Sequence, residues 1–381
     1  MKIAVLGFGT VGVGVYEMLK NAEGTEQGYV LVRPGKNDTA FKRTSIGEIV
    51  DDPETDAAVE VMGGIEPAFS YASEILKAGK HFITSNKALV AAKGIELSKI
   101  AYEHHAGFMF SAACGGAVPY LYNLSIARES DSIMRLSGIL NGTTNYMLDS
   151  MQRLGLDYNE ALEDAQRLGY AEKDPTADVS GLDTLRKIML ACAVTWDMLP
   201  SEGLLNEGIE SITAADVQHF MKRGYTCRLL ARGGKSRDSV YAYVEPVLLR
   251  DGAPECAVLQ NFNMACYEGR NSGRIALYGQ GAGRYPTASA VLRDISSIMS
   301  GRKYMLRECC RRVRAANDEC RHLYYVRVPE NMAGLIPAET AESENGISRI
   351  ISREMSVQDM HSAAAKIRED GGEIFFAAIG E

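Results

Sequence analysis

Lys2-Ile3-Ala4-Val5-Leu6-Gly7-Phe8-Gly9-Thr10-Val11-Gly12 stands at the start of the chain and governs how the rest is read. Lys2 to Leu6 is a short apolar run of strand type, and a helical pattern follows from about Thr10 to Leu19. A glycine-rich turn alone is common. Placed between a strand and a helix, it aims backbone N–H groups and the positive end of a helix dipole at a pyrophosphate, as a Rossmann-type dinucleotide-binding fold requires. Gly7, Phe8, Gly9, Thr10, Val11 and Gly12 are therefore the first candidate cofactor-binding residues.

The same unit continues along the chain. Tyr29 to Val32, Ala57 to Met62 and His81 to Thr84 read as strands, alternating with helical stretches such as Ala68 to Lys77, after which Gly79 stands where a helix ends. NAD-selective enzymes carry an acid after the second strand for the ribose 2′-hydroxyl. Here Arg33 and Lys36 stand there instead, so NADP is the expected cofactor, with NAD possible. His81 to Thr84 delivers Ser85-Asn86-Lys87 at its carboxyl end, where ligands bind in open α/β sheets, so Thr84, Ser85 and Lys87 join the candidates. A lysine opening a helix opposes the macrodipole, so stability alone does not place Lys87 there.

From Ser111 to Pro119 the sequence turns to small residues and glycines, which predicts a hinge out of the nucleotide domain. The expected organisation is a nucleotide-binding domain over 1–113, completed by about 284–305, and an α+β catalytic and dimerisation domain over 114–283. Gly279-Gln280-Gly281-Ala282-Gly283 opens a helix that would bring the chain back against the cofactor, which adds Gly283 to the candidates. The last stretch, 321–381, is expected as a separate small module, with Glu330 to Asn345 read as irregular connection. The fold class is thus α/β with an α+β second domain.

A second polar stretch points to chemistry. Asn141-Gly142-Thr143-Thr144-Asn145 is followed by Tyr170-Ala171-Glu172-Lys173-Asp174-Pro175, and then by Asp183 and Lys187 one helical turn apart. An i,i+4 ion pair on a surface helix is worth only about 0.3–0.5 kcal/mol and needs no function. Here the helix, with Ser180 as its expected cap, is apolar throughout from Ile188 to Val194. A helix apolar all round is buried, so Asp183 and Lys187 are expected to face a cavity.

Composition bounds the partners. The 381 residues suit two or three domains, and 46% apolar residues are ample for burial. A net charge of −8, from 41 Lys and Arg against 49 Asp and Glu, is spread without long runs, which argues against nucleic acid or anionic membrane. No stretch reaches a membrane span or a signal peptide, so the expected location is cytoplasmic. The eight cysteines show no metal-ligand spacing and are expected as reduced thiols, with Cys114 the one possible nucleophile.

Gly7 to Gly12, Glu60 to Pro67, Thr84 to Lys87, Gly138 to Tyr146, Glu172, Lys187 and Pro286 to Ala290, taken in order, closely resemble the monofunctional homoserine dehydrogenases over roughly residues 1 to 300. The resemblance implies interconversion of L-homoserine and L-aspartate 4-semialdehyde with NADP or NAD, on the pathway to threonine and methionine. It implies that Lys187 is the catalytic acid/base and that Asp183 assists in holding substrate or water. Lys87 would lie between cofactor and substrate, Glu172 would take the substrate ammonium, and Gly142, Thr143 and Tyr170 would line the substrate side. It further implies a Na+ or other monovalent cation held by the backbone carbonyls of Ser111, Cys114, Gly116 and Val118, a homodimer or homotetramer, and a truncated ACT-like module at 321–381. The chain departs from the family pattern at Ser111, where a glutamate is usual, and at Ala117, where a third glycine is usual. In the C-terminal module a strand is expected to be missing. The competing readings are an aldehyde oxidoreductase working through Cys114 and a protein that senses NADP without chemistry.

Overall fold

The computed structural model describes residues 1–36 and 39–380. It divides into two compact units. The first comprises Met1–Ser132, Met189–Leu199 and Gly279–Arg312, and the second comprises Ile133–Ile188, Pro200–Tyr278 and the residues from Val313 onward.

The first unit is a six-stranded parallel sheet in the order β3-β2-β1-β4-β5-β6. Its strands are β1 (Lys2–Leu6), β2 (Glu26–Leu31), β3 (Lys42–Arg43), β4 (Thr55–Glu60), β5 (His81–Thr84) and β6 (Phe108–Met109). Ile3 to Leu6, Ala57 to Val59 and Phe82 to Ile83 are fully buried, as expected of strands covered on both faces. The sequence reading of β2 began three residues late, because Glu26 to Gln27 pair with Lys2 to Ile3 while carrying no apolar pattern. Strands β3 and β6, of two residues each, are too short to leave a period in the sequence.

Two expectations about this unit are corrected. The boundary falls after Ser132 and not after residue 113, because Tyr120, Leu121 and Leu124 of the helix Tyr120–Ser130 are fully buried within it. The small-residue stretch expected as a hinge is instead packed: Ser111 to Cys114 and Val118 are all at most 6% exposed. Its glycines serve close approach, since a Cβ on Gly116 would stand 2.6 Å from the Gly281 carbonyl carbon, and the Ala117 amide donates to the Gln280 carbonyl at 3.1 Å. The segment Gly279–Arg312 lies in this unit. Its helix, Arg284–Met299, packs on the helix α1 (Thr10–Leu19), where a Cβ on Gly14 would come within 2.9 Å of Arg284 Cγ.

The second unit is built on one large mixed sheet. Its strands run in the order Gly273–Gln280, Phe262–Gly269, Ile133–Ile139, Tyr225–Ser236, Ser239–Arg250, Phe375–Ile379, Tyr324–Pro329, Ile347–Ser352, Ala338–Glu344. The C-terminal stretch is therefore not a separate module. Val247 and Leu248 pair in parallel with Ala378 and Ile379, and one apolar core joins Leu230, Val247 and Leu249 to Tyr324, Val326, Met360 and Phe376.

No strand is missing there either. Ala338–Glu344, read as irregular, pairs with Ile347–Ser352, and its AETAESE sequence hid it because nearly every residue is exposed. The 3₁₀ turn Glu330–Leu335 lies between Tyr324–Pro329 and Ala338–Glu344. Tyr324–Pro329 is paired on both sides and buried. The true edge carries Glu339, Glu342 and Glu344, charges that discourage pairing with another chain.

Candidate active site

The dinucleotide cradle is made of backbone. Gly7 has φ +102°, and a Cβ on Gly12 would stand 2.1 Å from the Gly7 carbonyl oxygen, so both glycines are demanded by the fold of the turn. Gly9 is different. A Cβ there would meet no protein atom within 4 Å, which leaves open space beside the first turn of α1. That turn has no side-chain cap and no acid, so its N–H groups and the positive end of its dipole are offered outward. Thr10 and Val11 open α1. A cavity of about 710 Å³ adjoins the turn, lined by Gly7, Phe8 and Gly9 on one side and by Arg33, Lys36 and Lys42 on another. These residues fit a dinucleotide. Lys42, on an edge strand, was missed because its strand has no sequence signature.

At the carboxyl ends of β4 and β5 a buried acid organises the turns. Glu60 is 0% exposed; it accepts the Met62 and Gly63 amides at 2.6 and 3.1 Å and the Thr84 hydroxyl at 2.6 Å. Thr84 therefore shapes the rim, and its hydroxyl also accepts the Asn86 amide at 2.9 Å. Asn86 caps the helix Lys87–Glu103 by accepting the Leu89 amide, which sets half-buried Lys87 as its first residue beside Ser85. An acid inside the apolar run Ala57 to Met62 was the available signal for Glu60. Gly283, at φ +124°, precedes the helix Arg284–Met299 and has Pro286 as its nearest neighbour.

In the second unit the side chains do the organising. Asp183 and Lys187, at the start of the helix Leu182–Trp196, are 6% and 8% exposed and 2.7 Å apart. Lys187 Nζ also donates to the Leu140 carbonyl at 2.5 Å. The solvated-pair alternative is thereby removed. Asn141 follows Leu140 and divides its amide: Nδ2 donates to Asp183 Oδ2 at 2.9 Å and to Asp178 Oδ1 at 2.7 Å, while Oδ1 accepts the Thr144 amide and caps the helix Gly142–Leu154. A Cβ on Gly142 would stand 2.7 Å from the Asn261 carbonyl oxygen, so a side chain there would displace this helix start. Thr143 Oγ1 lies 2.6 Å from the Tyr170 carbonyl and 3.1 Å from Asp178 Oδ2.

Asp178 is the residue that the sequence reading missed, on the short helix Thr176–Val179 that follows the stretch ending at Pro175. Burial pushes its carboxyl above the usual range and the Asp183 charge adds to this, against the hydrogen bonds from Asn141 and Thr143 and the charge of Lys187. Ser180, expected to cap the lysine helix, instead ends the short helix Thr176–Val179, and Gly181 at φ +80° makes the turn between them. Glu172 is exposed, and its backbone carbonyl accepts Gln166 Nε2 at 3.1 Å. The Tyr170 ring packs on Tyr146 with centroids 5.0 Å apart.

Ser111, Cys114, Gly116 and Val118 lie together in the packed segment of the first unit. Asp294, fully buried, accepts the Ser111 amide at 2.7 Å and the Ser111 hydroxyl at 2.5 Å, so the serine that replaces the usual glutamate is bound to a carboxylate from another element. Cys114 is 1% exposed, which withholds its thiol from a substrate carbonyl. Among the described residues no group of three or more His, Cys, Asp or Glu could hold a metal ion.

Comparison with known proteins agrees with both halves of this geometry. A family model described as homoserine dehydrogenase, NAD binding domain, matches residues 7–111, and one described as homoserine dehydrogenase matches residues 119–296. A homoserine dehydrogenase of Bacillus subtilis is 34% identical over 315 residues, covering 78% of this chain and 73% of the relative. One of Mycobacterium bovis is 33% identical over 393 residues, covering 97% and 86%. Among solved structures, a homoserine dehydrogenase from Thiobacillus denitrificans superimposes with a TM-score of 0.88 at 27% identity, over 100% of this chain and 98% of the other. A hyperthermophilic archaeal homoserine dehydrogenase in complex with NADPH gives 0.68 at 26% identity, over 79% and 98%. With the glycine cradle and the buried lysine each lying in a matched region, the chain belongs to the homoserine dehydrogenases, NAD(P)-dependent oxidoreductases.

Proposed function

We propose that Lys187 moves the proton in the homoserine dehydrogenase reaction, with Asp183 and the Leu140 carbonyl fixing its amine. The observation that carries this is the buried pair itself. A neutral lysine has two N–H bonds, and acceptors stand at 2.7 Å and 2.5 Å from Nζ. That directs the third tetrahedral position as the one that exchanges a proton with the substrate oxygen. In the oxidising direction Lys187 takes the hydroxyl proton as the carbinol carbon loses hydride, leaving the aldehyde. In the reducing direction it returns the proton to the alkoxide. The nicotinamide, when bound, supplies the hydride acceptor or donor.

Glu172 is proposed to take the substrate ammonium, its exposed carboxylate being available for a charged ligand. Gly142, Thr143 and Tyr170 shape the substrate side, and Lys87 acts as a further cationic group of the reaction. NADP is the proposed cofactor, because Arg33, Lys36 and Lys42 line the cavity beside the glycine turn and suit a 2′-phosphate. A monovalent cation at the carbonyls of Ser111, Cys114, Gly116 and Val118, a homodimer or homotetramer, and a cytoplasmic location complete the reading. The deciding experiment is spectrophotometric: L-homoserine should drive NADP reduction by the wild-type chain, and Lys187→Ala should abolish it while still binding NADPH. Wild-type protein that binds NADPH but leaves L-homoserine unoxidised would overturn the proposal.

A further inference from the structure

Glu60 carries a charge that the hydrogen bonds of its turn do not require. It ends β4 between two other strand ends, in register with Leu6 of β1 on one side and Thr84 of β5 on the other. Its Oε1 accepts the Met62 and Gly63 amides at 2.6 and 3.1 Å, and its Oε2 accepts the Thr84 hydroxyl at 2.6 Å. Thr84 Oγ1 itself accepts the Asn86 amide at 2.9 Å, which leaves the hydroxyl hydrogen for Glu60. Both carboxyl oxygens therefore act as acceptors, the pattern of an ionised acid. A glutamine could meet the two amides with its oxygen and the hydroxyl with its nitrogen, so the geometry would survive without the charge. Yet Glu60 is 0% exposed, its three partners are uncharged groups, and among the described residues no ion pair includes it. A buried charge that the protein does not pair costs free energy that hydrogen bonds only partly recover.

The sheet order says which half of a dinucleotide this charge meets. Gly7 follows Leu6 and opens the turn that takes the pyrophosphate, where the strand order reverses between β1 and β4. Arg33 and Lys42 stand on the β2 and β3 side of that turn, the side of the adenosine 2′-phosphate. The nicotinamide half then falls on the opposite side, over the ends of β4 and β5. Oxidised nicotinamide is a pyridinium cation, whereas reduced nicotinamide is neutral. We infer that Glu60 is a specificity-determining residue for the redox state of the cofactor, its buried carboxylate favouring the oxidised nicotinamide over the reduced one. This rests on the reading of the glycine turn with Arg33 as the NADP site. Two unit charges about 10 Å apart at an effective dielectric of about 25 alter an equilibrium about tenfold. The acid is held in place to exert that effect: Asn86 Nδ2 donates to the Gly64 carbonyl at 2.5 Å, tying the turn after β4 to the start of the helix Lys87–Glu103. Lys87, on the same rim, acts on the ring in the opposite sense, and equally whether residue 60 is charged or not.

The test is equilibrium binding of both forms of the cofactor to the full-length enzyme, NADPH by its fluorescence and NADP+ by displacement of NADPH. Glu60→Gln should raise the Kd for NADP+ about tenfold and leave that for NADPH within about twofold of wild type. Glu60→Asp, which keeps the charge, should return the ratio of the two constants toward its wild-type value. A merely structural role would weaken both forms alike or lower the melting temperature with the ratio unmoved, and either result overturns the inference. Glu60→Ser removes the same charge in a smaller side chain and gives the same measurement if the glutamine variant does not fold. Failure of both uncharged variants to fold also overturns it, since Glu60 would then be a folding residue. The two readings fail separately. A wild-type chain that binds NAD+ and NADH but neither form of NADP removes the NADP reading, and the ratio is then measured with the NAD pair; an unmoved ratio in Glu60→Gln removes only this inference.

Discussion

The glycine turn of the first unit offers backbone, and the lysine site of the second offers side chains. At Gly7 to Gly12 the recognising groups are peptide N–H bonds and a helix end, which every sequence has; the sequence's contribution is to keep side chains out of the way. At Lys187 the recognising groups are polar and charged side chains, each held by another: Asp183 by Asn141, Asn141 also by Asp178, and Asp178 also by Thr143. Substitutions should therefore act locally at the first and spread at the second.

The largest expected effect is on the side-chain site. Lys187→Ala should lower kcat by at least about 10²- to 10⁴-fold, the range for a general acid/base, with NADPH affinity within about twofold of wild type. Fluorescence titration of NADPH beside steady-state turnover checks it. If NADPH binding fell with kcat, the two sites would not be separable in this way.

Next comes the fold that carries the lysine site. Phe376 is 0% exposed in the core shared by the C-terminal strands and the Ser239–Arg250 strand. Phe376→Ala should destabilise the enzyme by about 3–5 kcal/mol, read by urea unfolding. A loss under about 1 kcal/mol would return the C-terminal stretch to the status of a loosely attached module.

Cofactor choice is a smaller effect, because the groups are exposed and screened. Arg33→Ala should raise the KM for NADP about tenfold and leave that for NAD nearly unchanged, since one charge-assisted phosphate contact is worth about 1.5 kcal/mol. Equal changes for both cofactors would place Arg33 outside the 2′-phosphate site.

The smallest expected effect sharpens the contrast most. Gly9→Ala adds a methyl to open space, so its melting temperature should match wild type within about 1 °C while cofactor KM rises. Gly12→Ala meets the Gly7 carbonyl at 2.1 Å and should lose stability as well. Similar melting losses in both would mean that Gly9, too, is a folding glycine.

What the sequence determined by itself follows from periodicity and local chemistry. The strand, glycine turn and helix at the start, the return of the helix Arg284–Met299 to the same unit, and the burial of Asp183 with Lys187 all rest on signals within a few turns of chain. Such signals survive because a buried strand or helix must be apolar wherever it packs. Other features rest on residues far apart in the chain. Glu60 gathers Thr84 to the Met62 turn, Asn141 joins Asp178 to Asp183, and Asp294 reaches Ser111, while Ala338–Glu344 pairs as an exposed strand and the C-terminal strands extend the sheet of the second unit. Tertiary structure alone decided these, because a polar side chain in a sequence does not announce its partner, and a strand exposed on both faces is stabilised by a neighbour that its own residues do not encode.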